Sequence, residues 1–334
     1  MTLITSYLEA PEVKAVRLTC LDLSKAFERV HHGTPINLLL SSNIEKGFIV
    51  WLVDYLTFRF QKVKVKNSCG PLFQVPSGVP QGSILGPYLF ASFMGSLNVP
   101  PPNKIIIYAD DIILLEPLPC CHDNVSAICS WICDNKLTLN VSKSRQMIIP
   151  KVESLPFDPS YPTIQTVCQM KVLGVHWTAD LKWDHHFDVI LKCASRRLYI
   201  IRVLKTVLPR IELISVYFTL VVPVILYASP LICHLSFKIR KRLDIFQNRA
   251  HRLICGSHCD CSLLPDLSSL RKSRVLKFLH KCEIEVDHVL HDLIPTRLPR
   301  SGKFCLPCCA TSRRMHSFVP YSCLIANNFD NFLI

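Results

Sequence analysis

Two carboxylates stand side by side in the stretch Ile105-Ile106-Ile107-Tyr108-Ala109-Asp110-Asp111-Ile112-Ile113-Leu114-Leu115. The apolar runs on either side read as short buried strands, with the acids carried by the tight turn between them. Two ionised carboxylates about 4 Å apart repel by about 4 kcal/mol at an effective dielectric of about 20, so the pair needs compensation. A divalent cation supplies it, and hard oxygen ligands of this kind suit Mg²⁺. A solvated Asp-Asp hairpin turn is the alternative for this stretch taken alone. A third acid strengthens the metal reading. Val16-Arg17-Leu18-Thr19-Cys20-Leu21-Asp22 alternates apolar and polar residues, which puts Asp22 at the end of a neighbouring strand. Three acids on adjacent strands make a site for two Mg²⁺ ions. Such a site lowers the pKa of an attacking hydroxyl and stabilises both oxygens of an in-line phosphoryl displacement.

The elements around these acids follow from local pattern. Residues 24–32 and 35–40 look helical, and residues 44–60 form a longer amphipathic helix carrying Trp51, Tyr55 and Phe58. Residues 61–66 alternate strictly, placing Lys62, Lys64 and Lys66 on one face of a strand. That row is either a solvated edge that blocks strand pairing or a surface for a phosphate backbone. Gly78-Val79-Pro80-Gln81-Gly82 is a loop whose glycines admit a close ligand, and a helix starts near Ser83. Loop plus helix N-terminus suits phosphates or a base pair. Residues 125–135 read as a helix packing through Ile128, Trp131 and Ile132, and residues 171–177 as a strand. The prolines of residues 150–162 mark a connection.

From Asp184 a helix runs to about Leu208, with Lys192, Arg196, Arg197, Arg202 and Lys205 opposite an apolar stripe. Its cations are either solvated or aligned with a nucleic-acid duplex. A second basic helix spans residues 238–253. Residues 213–237 lack Lys, Arg, Asp and Glu. They meet the length rule for a membrane span, but Pro223 and Pro230 favour two buried helices broken at the prolines. A membrane partner is therefore not expected.

The 334 residues suffice for a sizeable core, and 49% hydrophobic content argues against global disorder. Lys and Arg outnumber Asp and Glu by 38 to 25, a formal charge of +13 that favours a polyanionic partner. The seventeen cysteines are scattered and no secretory signal opens the chain, so reduced thiols and an intracellular setting, cytoplasmic or nuclear, are expected. Cys255, His258, Cys259 and Cys261, with Cys305, Cys308 and Cys309, have ligand-like spacing for zinc but no clean paired motif. Nothing in the sequence speaks to oligomeric state.

Three motifs occur in order: Asp22-Leu23-Ser24-Lys25-Ala26-Phe27-Glu28-Arg29-Val30-His31, then Gly78-Val79-Pro80-Gln81-Gly82-Ser83-Ile84-Leu85-Gly86-Pro87, then Tyr108-Ala109-Asp110-Asp111. Leu137 to Ser144, Val172-Leu173-Gly174-Val175 and Trp183-Asp184-His185-His186 follow. Together they closely resemble the reverse transcriptases of non-LTR (LINE-type, jockey-like) retrotransposons, from about residue 14 past residue 255. Each motif is weak alone; the ordered set is specific. Group II intron maturases and telomerases share the acids, but the wording of the first two motifs points away from them.

The resemblance implies an α+β fold: a right-hand polymerase palm, an antiparallel sheet with packed helices, followed by a mostly helical thumb. The expected domains are a palm with a remnant of fingers over 1–183, a thumb over 184–255 and a cysteine-containing region over 256–334. The implied function is that of an RNA-directed DNA polymerase, a nucleotidyltransferase. It extends a DNA primer on an RNA template with deoxynucleoside triphosphates and two Mg²⁺ ions, with Mn²⁺ as an alternative.

Asp22 and Asp110 would bind metal directly and Asp111 would support the site. Phe27 would be the steric gate beneath the sugar, in place of a plain core phenylalanine. Gln81, Gly82 and Tyr108 would meet the incoming nucleotide and templating base, and Leu173-Gly174 would lie in the hairpin that grips the primer terminus. Lys143 is either a surface lysine or the proton donor to pyrophosphate, a role that a depressed pKa suits. Lys62, Lys64, Lys66, Lys192 and Arg196 are the candidate nucleic-acid contacts, with solvated surface as the alternative for each. Glu28 stands where the family usually has Asp. Larger fingers and an endonuclease precede this region in the family, so the chain is expected to be an N-terminally truncated piece. The alternative is a retrotransposon-derived protein that binds nucleic acid without polymerising.

Overall fold

The structure, a computed structural model, describes residues 1–40, 44–120, 122–151, 160–256, 264–309 and 311–328, apart from the side chains at 35 and 37–39. It falls into two compact units: Val13–Cys168, and Met1–Glu12 with Gln169–Ile334. The first helix in chain order, α1 (Thr2–Glu9), belongs to the second of these.

The Val13–Cys168 unit is α+β. β1 (Ala15–Asp22) and α2 (Ala26–Arg29) are followed by α3 (Gly33–Leu40) and α4 (Lys46–Leu56). Four short strands come next: β2 (Arg59–Gln61), β3 (Lys64–Val65), β4 (Ser68–Cys69) and β5 (Phe73–Val75). Then come α5 (Leu85–Met94), β6 (Lys104–Tyr108), β7 (Asp111–Leu118), α6 (Asn124–Asp134), β8 (Arg145–Pro150) and β9 (Gln165–Thr166). Among the described residues the main sheet has five strands in the order β6-β7-β1-β8-β9, antiparallel except where the two-residue β9 runs parallel to β8.

β1 and β7 lie in the middle of the sheet, which is why Ile112–Leu118 is buried throughout. β6 forms the sheet edge, and Ile106 is exposed there; the first apolar run is thus half-buried, not a fully buried strand. Leu52 and Leu56 of α4, Phe90 and Phe93 of α5, and Ile128 and Ile132 of α6 pack with Leu21, Ile112 and Leu114 in one core. The Asp123 carboxylate caps α6 by accepting from Ser126 N at 3.1 Å.

Deep in the sheet Arg17 faces Glu116 across β1 and β7. Arg17 Nε donates to Glu116 Oε2 at 2.7 Å, while Asn124 Nδ2 and the Tyr161 hydroxyl donate to Oε1 at 2.7 and 2.9 Å. The guanidinium also lies 3.7 Å from the Tyr161 ring centre. Burial beside the Glu116 carboxylate pushes the Tyr161 phenol up. This buried polar cluster is well satisfied, which is the condition for tolerating one.

Several local expectations change. The helix over 24–32 shrinks to α2, because the Phe27 and Val30 carbonyls accept from Val79 and Gly78 amides rather than from a following helical turn. The helix over 44–60 stops at Leu56, and Phe58 is 88% exposed with φ +51° before β2 begins. The lysine-bearing strand does not exist as one piece. Lys62 lies between strands, Lys64 is in β3 and Lys66 is in a turn with φ +53°. Val63 and Val65 are exposed, so the alternation has no core to bury its apolar face against.

The second unit adds β10 (Gln169–Val172) and β11 (Val175–Thr178), then α7 (Asp184–Leu204), α8 (Arg210–Val216), a π-turn over Tyr217–Val221 and α9 (Val222–Leu226). α10 (Phe237–Cys255), α11 (Leu267–Ile284), α12 (Ser312–Met315) and α13 (Phe318–Asn328) complete it. α7 buries Phe187, Ile190, Leu191, Ala194, Leu198 and Ile201, the stripe that its sequence spacing requires. Residues 171–177 are a hairpin rather than one strand, with the turn at Leu173-Gly174. β11 packs on α7, and the division between the two compact units follows Cys168. The apolar segment over 213–237 breaks into α8, the π-turn and α9, with Pro223 in the first turn of α9. Among the described residues no helix is long and apolar enough to cross a membrane.

Candidate active site

The three acids are set by the β1–β7–β6 register. Tyr108 pairs with Asp111 and closes a two-residue loop, Ala109-Asp110, between β6 and β7. Ala109 takes φ +52°, a region that costs a residue with a Cβ about 1–3 kcal/mol. Asp111 is also the register partner of Asp22 at the end of β1. Two acids thus face each other across the sheet, with the third adjacent in the turn. The Asp111 carboxyl is pushed up first by burial, then by the charges of Asp110 and Asp22. Behind it the Cys20 thiol is pushed up to about 12 by burial and by Asp111.

The segment after α6 wraps the end of β1. Ser24 N donates to Thr138 O at 2.8 Å, Asn140 N to Asp22 O at 2.8 Å, and Asp22 N to Ser144 Oγ at 3.2 Å. Asn140 Oδ1 accepts from Ser142 Oγ and Lys143 N, an Asx-type turn that fixes the loop. Lys143 Nζ is then held 3.8 Å from Asp22 Oδ2. Arg145 braces the same loop through the Ser142 and Ser144 carbonyls.

Among the described residues no three His, Cys, Asp or Glu side chains stand close enough to enclose an ion by themselves. Mg²⁺ in phosphoryl-transfer sites is held by one or two carboxylates with water and substrate phosphates, not by an all-protein cage. A facing pair of hard oxygen donors with a third beside it fits that mode: Asp22 and Asp111 are register partners at the sheet's end, and Asp110 stands next to them in the turn.

The Gly78–Gly82 loop is stitched to α2. Gly78 N donates to Val30 O and Val79 N to Phe27 O, both at 2.9 Å. A Cβ on Gly78 would fall 2.7 Å from the Glu28 carbonyl oxygen, and one on Gly86 would fall 2.5 Å from Pro80 O. Both glycines therefore serve close backbone approach. Phe27 is half-buried and stacks on Phe90, with ring centres 4.2 Å apart. Gln81, Gly82 and Tyr108 are exposed, and Ile84 is 95% exposed next to them. Gln81 lines a cleft of about 460 Å³ with Glu28, Arg59, Gln61, Gln74 and Gly78.

In the second unit Leu173 and Gly174 both have positive φ, a two-residue hairpin turn. The Tyr227 hydroxyl donates to Leu173 O at 2.6 Å, and its ring lies 3.2 Å from where a Gly174 Cβ would sit. Lys192 and Arg196 line a groove of about 330 Å³ with Asp188 and Arg242, which pair at 2.6 Å. Of the zinc candidates, His258, Cys259 and Cys261 lie outside the described residues.

Arg59, Asn140, Ser144 and Arg145 were not among the sequence candidates. The run Asn140-Val141-Ser142-Lys143-Ser144, polar apart from Val141 and following Leu137 and Leu139, is a signal for a side-chain-anchored turn. Arg59 gives no comparable signal.

The chain is similar to known proteins over most of its length. The chain is 29% identical over 262 residues to the probable RNA-directed DNA polymerase from transposon BS of Drosophila melanogaster, covering 70% of this chain and 28% of that protein. It is 25% identical over 256 residues to that from transposon X-element of the same organism, again 28% of the relative's length. The chain thus spans less than a third of these curated relatives. Among solved structures, apo telomerase from Candida tropicalis aligns with a TM-score of 0.45 at 13% identity, covering 84% of this chain and 48% of that one. The model of the family "Reverse transcriptase (RNA-dependent DNA polymerase)" matches residues 6–177, just over half of the chain. That match takes in β1 with Asp22, the Gly78–Gly82 loop and the Asp110-Asp111 hairpin, so the chain belongs to the reverse transcriptase family.

Proposed function

We propose that the chain is the polymerase part of a non-LTR retrotransposon reverse transcriptase. It would extend a DNA 3′-hydroxyl on an RNA template, using deoxynucleoside triphosphates and two Mg²⁺ ions. The observation that carries this is the Asp22–Asp111 pair facing across β1 and β7 beside Asp110, within the family match. When bound, divalent cations lower the pKa of the attacking hydroxyl and offset charge on the phosphoryl group in transfer.

The residues of the chain do the rest. Asp22 and Asp110 hold the ions, and Asp111 sets the local negative potential. Lys143, on its pinned loop, balances the Asp22 charge before substrate arrives and would protonate the departing pyrophosphate. Phe27, fixed on Phe90, forms the floor beneath the sugar. Gln81 and Gly82, on an open loop, meet the nucleotide and template base. Leu173-Gly174 contacts the primer end, while Lys192 and Arg196 follow the duplex backbone. The +13 charge and basic α7 and α10 fit a polyanionic RNA–DNA duplex recognised through backbone and shape.

The test is primer extension on poly(rA)/oligo(dT) by the full chain with Mg²⁺. Incorporation that disappears in Asp110→Asn supports the reading. Incorporation that survives Asp110→Asn refutes the site, and tight duplex binding without Mg²⁺-dependent incorporation by the wild type refutes the activity.

A further inference from the structure

A second charged concavity lies far along the sequence from the acids, in the helical unit. A pocket of about 170 Å³ among α10, α11 and α13 is lined by Arg240, Arg271, Lys272, Ser268, Tyr321 and Cys233. No carboxylate lines it among the described residues. Arg271 forms the floor and is 4% exposed. Its guanidinium donates to Ile225 O at 3.0 Å and Ile232 O at 2.6 Å, and lies 5.4 Å from the Phe187 ring centre. These partners satisfy N–H groups but bring no counter-charge. Burial accordingly lowers the Arg271 pKa to about 10.

Arg240 and Lys272 are exposed at the rim. The field at the pocket is felt by its neighbours. The Tyr321 phenol, raised by burial, is drawn back by both Arg240 and Arg271. His234 is lowered to about 4 by burial, then by His316 and Arg240. A buried cation without an anion is costly to keep, and removing its solvent is repaid only when an anion completes the pair.

We propose that this pocket binds a phosphate dianion, either a terminal monoester or orthophosphate. Three cations around one small cavity favour a doubly charged group over a singly charged diester. The cavity is below the roughly 300 Å³ at which pockets for drug-sized ligands begin, so it takes a small group and leaves a base and sugar outside. Guanidinium forks match phosphate oxygens in pairs, and the Ser268 and Tyr321 hydroxyls add donors. The two sources with this chemistry are the terminal phosphate of a nucleic-acid strand and free orthophosphate.

The experiment compares 5′-phosphorylated and 5′-hydroxyl dT oligomers by anisotropy with the full chain at fixed ionic strength, alongside calorimetric titration with orthophosphate. Arg240→Gln and Lys272→Gln are the variants, since Arg271 also braces two carbonyls and its loss would disturb the fold. The wild type should bind the phosphorylated oligomer about tenfold more tightly, the size of one charge-assisted contact, and each variant should lose most of that gain while melting at the wild-type temperature without phosphate. A gain that orthophosphate competes away assigns the pocket to free phosphate as well. A gain that resists competition assigns it to strand ends, and orthophosphate binding without an oligomer gain assigns it to free phosphate alone. Equal binding of both oligomers with no heat from orthophosphate overturns the proposal, as does a gain that persists in the double variant. Neither result bears on Asp110-dependent polymerisation.

Discussion

β1 and β7 hold two charged register pairs with opposite characters. At Arg17–Glu116 unlike charges meet inside the sheet, and Asn124 and Tyr161 occupy the second carboxylate oxygen. Five residues along, at Asp22–Asp111, like charges meet at the sheet's end, with Lys143 at 3.8 Å from one of them. The first pair is complete without a ligand. The second is not, and the same strands carry both. A sheet built only for stability would have unlike or apolar residues at both positions, because like charges directly opposite destabilise a ladder. The difference separates a pair satisfied within the fold from one that, on the proposed function, a ligand completes.

Four substitutions break or sharpen that contrast, taken from the largest effect down. Asp110→Asn should lower nucleotide incorporation by about a thousandfold, some 4 kcal/mol of transition-state stabilisation, while leaving the melting temperature within a few degrees. Glu116→Ala should do the reverse: it leaves Arg17 charged and buried, so denaturant unfolding should show a loss of about 3–5 kcal/mol. Lys143→Ala should reduce kcat by about a hundredfold with little change in stability, and Lys143→Arg should recover less than it would if charge alone mattered.

His186 tests burial without full pairing. It is buried, its Nδ1 accepts from His176 N at 3.3 Å, and Nε2 has no hydrogen-bond partner among the described residues. Burial lowers its pKa to about 4, with His176, Arg271 and His185 adding to the effect. Between that value and its ordinary one the unfolded chain binds a proton that the folded chain does not, so stability rises with pH. The contribution is complete above about pH 6.5 and is lost as pH falls toward 4, at up to about 1.4 kcal/mol per pH unit. His186→Phe should flatten that slope in urea unfolding followed across the same range.

The acids were legible because each signal is local: Asp110-Asp111 between apolar runs, and Asp22 closing an alternating strand. Their meeting across β1 and β7 follows once both strands are drawn. Arg17 and Glu116 were not legible as partners, because 99 positions separate them and a strand pattern does not reveal register. The row Lys62, Lys64, Lys66 misled for the opposite reason: its alternation is perfect, but no second layer covers Val63 and Val65. Leu173-Gly174 read as strand because leucine seldom takes positive φ, and only the Tyr227 contact, 54 residues away, shows what holds the turn. β6 read as buried from three isoleucines, whereas its place at the sheet edge is set by strand order.

The most direct test of the facing carboxylates is the melting temperature of wild-type and Asp111→Asn protein, each with and without millimolar Mg²⁺. Removing one of the like charges should raise the melting temperature of the metal-free variant above that of the wild type, and Mg²⁺ should then stabilise the wild type by several degrees and the variant much less. A wild type that does not respond to Mg²⁺, or a variant that gains as much, would contradict the assignment of Asp22, Asp110 and Asp111 to a divalent-metal site.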